Sequence, residues 1–378
     1  MKNLFILLIT FASLAVFGQS GTVVHDSIEH DALNREYKLY VPNAYDGTTA
    51  VPLVFNLHGL TSNMDEQMFY GDFRGIADTA NFLVVHPNGT INTSGQRFWN
   101  SFGLAGVDDV DFLSNLLDSL NANYNIDLNR VYSTGMSNGG YMSFELACQL
   151  SDRIASVASV TGGMLQTRLN ACSPNHPTPI MQIHGTNDGT VPYNGGITTV
   201  SIQGILDYWV TYDNCDETPV ITNVADIDPN DGCTAEHFVY SGGDRNATVE
   251  HYKITGGGHT WPGAFVNTGV TNQDFDASAE IWRFFSQYTL EQLANVEQQN
   301  ELTDQMIVYP NPTNGSVTVR LDHIQNAAQL NVFDALGRKV KAMPITQQEQ
   351  NIEINKSGVY FFILNSGDKQ ETQRIIVQ

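Results

Sequence analysis

The stretch Val131-Tyr132-Ser133-Thr134-Gly135-Met136-Ser137-Asn138-Gly139-Gly140 reads as a short apolar strand that halts at a glycine-flanked serine and gives way to a helix. A serine hydroxyl is a poor nucleophile until it is exposed, oriented and set beside a base. A G-x-S-x-G turn between strand and helix meets the first two needs. Its glycines permit a tight turn with close packing, and the serine projects above the sheet.

Working outward, residues 52–58, 82–87, 154–160 and 180–184 are further short, nearly continuous apolar runs, and 35–41 alternates as a half-exposed strand. Runs of this kind suit a parallel sheet covered on both faces. Between and beyond them, residues 65–80, 109–124, 138–150, 199–212 and 277–288 carry helical spacing. The alternation predicts an α/β fold over residues 20–290, with a mostly parallel sheet and flanking helices.

A base and an acid are then expected downstream of the serine, each on a loop leaving a strand. Ile180-Met181-Gln182-Ile183-His184-Gly185-Thr186-Asn187-Asp188 runs from a strand into a polar loop, which puts Asp188 at a carboxyl end, where open α/β sheets place their sites. After a strand at 248–254, Gly256-Gly257-Gly258-His259 lets a loop carry an imidazole back over the nucleophile. Asp207, Asp213 and Asp216 compete as acids but lie on or just after a helix; His251 competes as base but sits inside a strand; His58 and His184 read as loop-holding histidines. The order Ser137, Asp188, His259 predicts acyl transfer, with backbone N–H donors for the oxyanion at Asn138 and at Leu60, Thr61 being second choice. Trp99 and Trp261 are candidate aromatic walls for a ring or sugar, against the plainer reading of packing aromatics.

No metal or cofactor is expected. There is no C-x-x-C spacing. Residues 226–232 imitate a calcium loop, but the glycine is one position late and the closing Glu is missing. Asp108, Asp109 and Asp111 suit a helix start, where acids meet the positive end of the helix dipole.

The ends address the compartment. Lys2 precedes an apolar run at 4–17 and small residues near 18–20, the layout of a signal peptide over residues 1–19. The run is short for a bilayer span, and no later segment is apolar enough to cross. With 40 Asp+Glu against 18 Lys+Arg and a net charge of -22, the chain would repel nucleic acid. Four cysteines in an exported chain suggest two disulfides. Three pairings are possible, and sequence-local pairing gives Cys148–Cys172 and Cys215–Cys233. Residues 291–305 are polar and Gln-rich, a linker, and residues 306–378 read as a small all-β sandwich.

His58-Gly59, Gly135-Met136-Ser137-Asn138-Gly139-Gly140, His184-Gly185-Thr186-Asn187-Asp188 and Gly257-Gly258-His259-Thr260-Trp261-Pro262 together resemble the secreted α/β-hydrolase esterases that include polyhydroxybutyrate depolymerases and feruloyl or acetyl-xylan esterases. The resemblance covers about residues 20–290. It implies Ser137 as nucleophile, Asp188 as acid and His259 as base, acting on ester-decorated plant polysaccharide or, as the alternative, on polyester. A non-catalytic surface binder on the same scaffold is the reading from another class, and retention of all three triad positions argues against it. In that family the last cysteine follows a Tyr-Ser-Gly stretch; here Gly243 follows Tyr240-Ser241-Gly242, so Cys215–Cys233 rests on proximity alone. Tyr309-Pro310-Asn311-Pro312-Thr313-Asn314-Gly315, with Phe333-Asp334-Ala335-Leu336-Gly337, resembles a type IX secretion sorting domain. That implies the secretion machinery as partner and a secreted or cell-surface location.

Overall fold

The computed structural model describes residues 21–103, 106–266, 268–294, 306–321, 328–335, 337–366 and 369–378. The expected signal peptide, and the linker beyond residue 294, lie outside the described residues. The chain forms two compact units, residues 1–295 and 296–378.

In the first unit the strands are β1 (Thr22–His30), β2 (Leu33–Val41), β3 (Val51–Leu57), β4 (Leu83–Pro87), β5 (Thr90–Ile91), β6 (Arg97–Phe98), β7 (Ile126–Met136), β8 (Ser156–Val160), β9 (Ile180–Gly185), β10 (Val220–Asn223), β11 (Thr234–Tyr240) and β12 (Val249–Thr255). The helices are α1 (Met64–Tyr70), α2 (Arg74–Ala80), α3 (Asp109–Asn123), α4 (Asn138–Gln149), α5 (Gln166–Ala171), α6 (Ile202–Tyr212), α7 (Ala277–Phe285) and α8 (Leu290–Ala294). One ten-stranded sheet runs β1-β2-β4-β3-β7-β8-β9-β12-β11-β10. Strands β4, β3, β7, β8, β9 and β12 are mutually parallel, and antiparallel strands extend both edges. β5 and β6 make a separate small hairpin.

The fully apolar strands have two faces to bury. Along β3, Leu53, Phe55 and Leu57 join a core that holds Phe112 and Leu116 of α3, Phe144 of α4 and Trp209 of α6. Val54 joins the opposite core with Ala77 of α2, Phe284 and Phe285 of α7, and Leu293 of α8. Helices on both faces are what a parallel sheet needs to leave no apolar strand wet.

Two expectations about elements change. The helix read over 65–80 is two helices, because the Gly71 carbonyl accepts Asn56 Nδ2–H at 2.7 Å and Phe73 plunges into the core instead of continuing the turn. The first residues assigned to the linker are helical in α8, held by buried Leu290 and Leu293.

Cys148 and Cys172 are bonded, tying the end of α4 to the end of α5. Cys215 and Cys233 are free and buried, which corrects the expected second disulfide. Cys215 lies against the Ala247 carbonyl, just before β12 begins. Cys233 precedes β11 at its other end, where Thr234 pairs with Thr255 while Tyr240 pairs with Val249. The length of β11 separates them by roughly 20 Å at strand rise, far beyond the ~7 Å that a disulfide spans. Sequence proximity misled because the strand between the two cysteines is extended.

The second unit contains β13 (Met306–Tyr309), β14 (Ser316–Leu321), β15 (Ala328–Asp334), β16 (Lys339–Ile345), β17 (Glu349–Glu353), β18 (Gly358–Ser366) and β19 (Lys369–Val377). They form a three-stranded sheet, β13-β14-β17, and a four-stranded one, β16-β15-β18-β19. Val317, Val319, Leu330, Phe362 and Ile375 share its core. Among the described residues no helix is long and apolar enough to cross a membrane.

Denatured but unreduced protein should therefore titrate two thiols per chain, and none would restore a Cys215–Cys233 bond. Replacing Cys148 and Cys172 by Ser should cost about 3 kcal/mol of stability in urea unfolding, the loop-closure value for a bridge of this span.

Candidate active site

Ser137 stands between β7 and α4 with φ 53° and ψ −118°, a conformation side chains seldom adopt. Its own N–H donates to the Val160 carbonyl of β8 at 2.8 Å. A Cβ at residue 135 would come 2.5 Å from the Leu57 carbonyl oxygen, and one at residue 139 would overlap that same oxygen. Only glycine lets the two strand ends approach this closely. The turn is thereby pressed against the end of β3, and a Cβ at Gly59 would sit 3.5 Å from that of Ser137.

Asp188 and His259 leave the carboxyl ends of β9 and β12, and only β8 separates β7 from β9. The structure brings these two side chains together: His259 Nδ1 donates to Asp188 Oδ2 at 2.7 Å. A carboxylate can only accept, so Nδ1 carries the proton and Nε2 keeps a lone pair. The carboxylate is fully buried and the imidazole is 20% exposed. Asp188 Oδ1 accepts the N–H groups of Thr190 and Val191, both at 2.8 Å. His184 Nε2 faces Oδ2 at 3.3 Å. Burial alone would raise the acid's pKa. The hydrogen bonds from His184 and His259, with the backbone bond from Val191, override it and hold Asp188 well below the usual carboxylate range. Among the described residues the structure joins the imidazole to the acid but shows no hydrogen bond between His259 and Ser137 Oγ.

His184 is the contact that sequence reading understated. Gln182 Nε2 donates to its Nδ1 at 2.9 Å, so Nε2 bears the proton that reaches both the Val191 carbonyl and Asp188. The signal was present in the four-residue spacing from His184 to Asp188 across a tight turn. The competing residues have other work. His251 is buried between the Gln182 carbonyl and the Tyr193 hydroxyl. Buried Asp213 accepts the Thr178 N–H.

The loop after β3 is held by His58. Its Nδ1–H donates to the Gly59 carbonyl at 2.7 Å, and its Nε2 accepts the Gly89 N–H at 2.9 Å. Because C=O and N–H point oppositely across a trans peptide, fixing the Gly59 carbonyl toward His58 turns the Leu60 N–H away from it. Thr61 N–H is already taken by the Arg97 carbonyl at 2.8 Å, so of the two donors expected here Leu60 is the one that, among the described residues, has no acceptor. Asn138 opens α4, and its first-turn N–H has no partner within the helix. Its side chain is clamped, accepting Trp99 N–H at 2.6 Å and donating to the Trp99 carbonyl and Ser101 Oγ.

The two tryptophans are not a substrate wall. Trp99 is 0% exposed, with Nε1–H bonded to the His58 carbonyl. Trp261 is 1% exposed, edge-on to Phe73, with Nε1–H bonded to Ser278 Oγ. Both brace loops of the site from below, so proximity in sequence to a catalytic candidate did not mean access to substrate. Asp108 caps α3 by accepting the Asp111 N–H. Among the described residues no His, Cys, Asp or Glu cluster could hold a metal ion.

A parallel sheet with a serine turn, an acid and a histidine along its carboxyl edge defines an α/β-hydrolase. The chain belongs to the esterase PHB depolymerase family, a family of carboxylic-ester hydrolases, and residues 35–220 match its profile. A bifunctional acetylxylan esterase/xylanase of Neocallimastix patriciarum is 26% identical over 270 residues, 71% of this chain but 35% of that protein. A probable feruloyl esterase C of Aspergillus clavatus is 30% identical over 224 residues, 56% of this chain and 75% of that protein. Poly(3-hydroxyalkanoate) depolymerase C of Paucimonas lemoignei is 31% identical over 229 residues, 56% of this chain and 55% of that protein. Residues 307–378 match a secretion system C-terminal sorting domain, which implies type IX secretion and marks a secreted or cell-surface protein.

Burial lowers three histidines from 6.5, His58 to about 4 and His86 and His251 to about 3. Below pH 6.5 the unfolded chain takes up protons at these rings while the folded chain does not, so acid favours unfolding. Stability should therefore fall from pH 6.5 toward pH 4, each unit of difference per ring being worth about 1.4 kcal/mol. The urea midpoint at pH 5 should lie below that at pH 7; an equal or higher midpoint contradicts the burial of neutral rings.

Proposed function

We propose that the protein is a serine esterase that cleaves feruloyl or acetyl esters on plant polysaccharide outside the cell, through an acyl-enzyme on Ser137. The observation that carries this is the His259–Asp188 hydrogen bond, which leaves Nε2 of the imidazole as base on the sheet edge that also carries the half-buried Ser137. In the reaction, His259 Nε2 takes the proton from Ser137 Oγ as that oxygen bonds the ester carbon. The carbonyl oxygen becomes an oxyanion facing the N–H groups of Leu60 and Asn138. Each such donor is worth roughly 3 kcal/mol in the transition state. The protonated ring then gives its proton to the leaving alcohol, and water repeats the sequence to release the acid. Asp188 stays ionised throughout, fixing the tautomer and stabilising the imidazolium.

Cleavage of polyester is the second reading. It is supported by the exposed Phe265, 93% accessible, with Val266 and Val270 on the segment after His259, an apolar surface suited to a polymer without hydroxyls.

Purified protein should hydrolyse methyl ferulate or acetylated xylan faster than it clears a polyhydroxybutyrate suspension; the reverse ranking selects the polyester reading. Ser137→Ala should lose about ten-thousand-fold in kcat on any ester it cleaves, and Asp188→Asn a comparable amount. Undiminished turnover in Ser137→Ala would remove the acyl-enzyme.

A further inference from the structure

Beside the oxyanion loop lies a cleft of about 610 Å³ that the chemistry above does not use. Its walls are the loop from Thr61 to Asn63, the first turn of α1, Glu36 of β2 and the β5–β6 hairpin with Gln96 and Arg97. It opens along the same edge of the sheet as Ser137: Thr61 follows β3, and Asn88 follows β4, both parallel to β7. Gly59 touches the serine turn, and Thr61, two residues on, is at most about 7 Å from it along the chain.

The cleft and the oxyanion loop are one hydrogen-bonded assembly. Thr61 N–H donates to the Arg97 carbonyl, Arg97 Nη1 to the Gly89 carbonyl at 2.7 Å, and Gly89 N–H to His58 Nε2. A group seated there is therefore registered against the reacting carbonyl.

The lining selects its ligand. Three carboxylates, Glu36, Asp65 and Glu66, face one guanidinium, Arg97, which disfavours an anion. Carboxylates accept hydrogen bonds and cannot donate. Asp65 has Lys38 and Glu66 has the Ser62 hydroxyl, but among the described residues the Glu36 carboxylate has only His25, at 3.9 Å. Asn63 uses its oxygen on the N–H groups of Asp65 and Glu66, and Gln96 receives Asn92 on its oxygen, so each offers an NH₂ group outward. A ligand that fits must bring both donors and acceptors and no charge. Sugar hydroxyls do this. A polyester chain brings acceptors and CH₂ groups alone, and would strip water from carboxylates without replacing it.

We infer that this cleft binds the polysaccharide backbone of the substrate, an uncharged, hydroxyl-rich glycan segment next to the scissile ester; the assignment rests on the esterase reading of Ser137. The test uses full-length protein and unesterified xylohexaose as probe. The Ser137→Ala protein should bind it saturably in calorimetry, and adding Glu36→Ala with Gln96→Ala should weaken binding at least tenfold. In the Ser137 background the same pair should lower the ratio of kcat/KM on acetylated xylo-oligosaccharide to kcat/KM on para-nitrophenyl acetate by a similar factor. Both positions are exposed, and each single variant measured beside the pair guards against misfolding. Absent binding, unchanged affinity in the pair, or an unchanged ratio would overturn the assignment. Full esterase turnover in Ser137→Ala would instead overturn the acyl-enzyme while leaving the xylohexaose result to stand by itself.

Discussion

At residues 135 and 139 the serine turn meets the carbonyl oxygen of Leu57 so closely that no side chain fits between them. That contact joins the end of β7 to the end of β3, and almost everything at the site follows from it. It puts Gly59 against Ser137, so that the loop carrying Leu60 starts beside the turn from which the helix beginning at Asn138 departs. It also forces Ser137 into its unusual backbone conformation, which the surrounding sheet over-determines through the Val160 hydrogen bond. Under the proposed mechanism, the backbone amides of Leu60 and Asn138 would serve one oxyanion from fixed positions, the condition under which such donors are most effective.

A second layer holds that arrangement in place. His58, Trp99 and the Asn138 side chain interlock through the His58 carbonyl, the Trp99 indole and the Trp99 main chain. On the other side of the serine, His184 and the turn at Thr190–Val191 saturate Asp188 with hydrogen bonds. A buried carboxylate would otherwise take up a proton and cease to orient His259. The residues that support the chemistry are thus mostly buried histidines, tryptophans and amides, each fully engaged.

The central parallel strands were legible because their apolar runs are long enough to be buried on both faces, and the serine turn because its glycines are sterically obligatory. The hydrogen-bonded pairing of Asp188 with His259 could be read from their place after strands and from chain order. Other features depend on contacts between distant segments. β1 and β10 are edge strands with exposed side chains, so their composition carries little apolar pattern. The break between α1 and α2 depends on Asn56, a residue fifteen positions away. The burial of Trp99 and Trp261 depends on what packs over them, and the separation of Cys215 from Cys233 on β11 being extended. Local pattern reports an element; it does not report what stands across from it.

The claim at the centre of this account is that His259, steered by Asp188, makes Ser137 nucleophilic. Mapping the adduct of a fluorophosphonate by peptide mass spectrometry, with its rate of formation, tests it most directly. The account predicts modification at Ser137 alone and a rate at least about a hundredfold lower in His259→Ala, in keeping with the loss of a general base. Modification at another residue, or an equal rate without the imidazole, would contradict it.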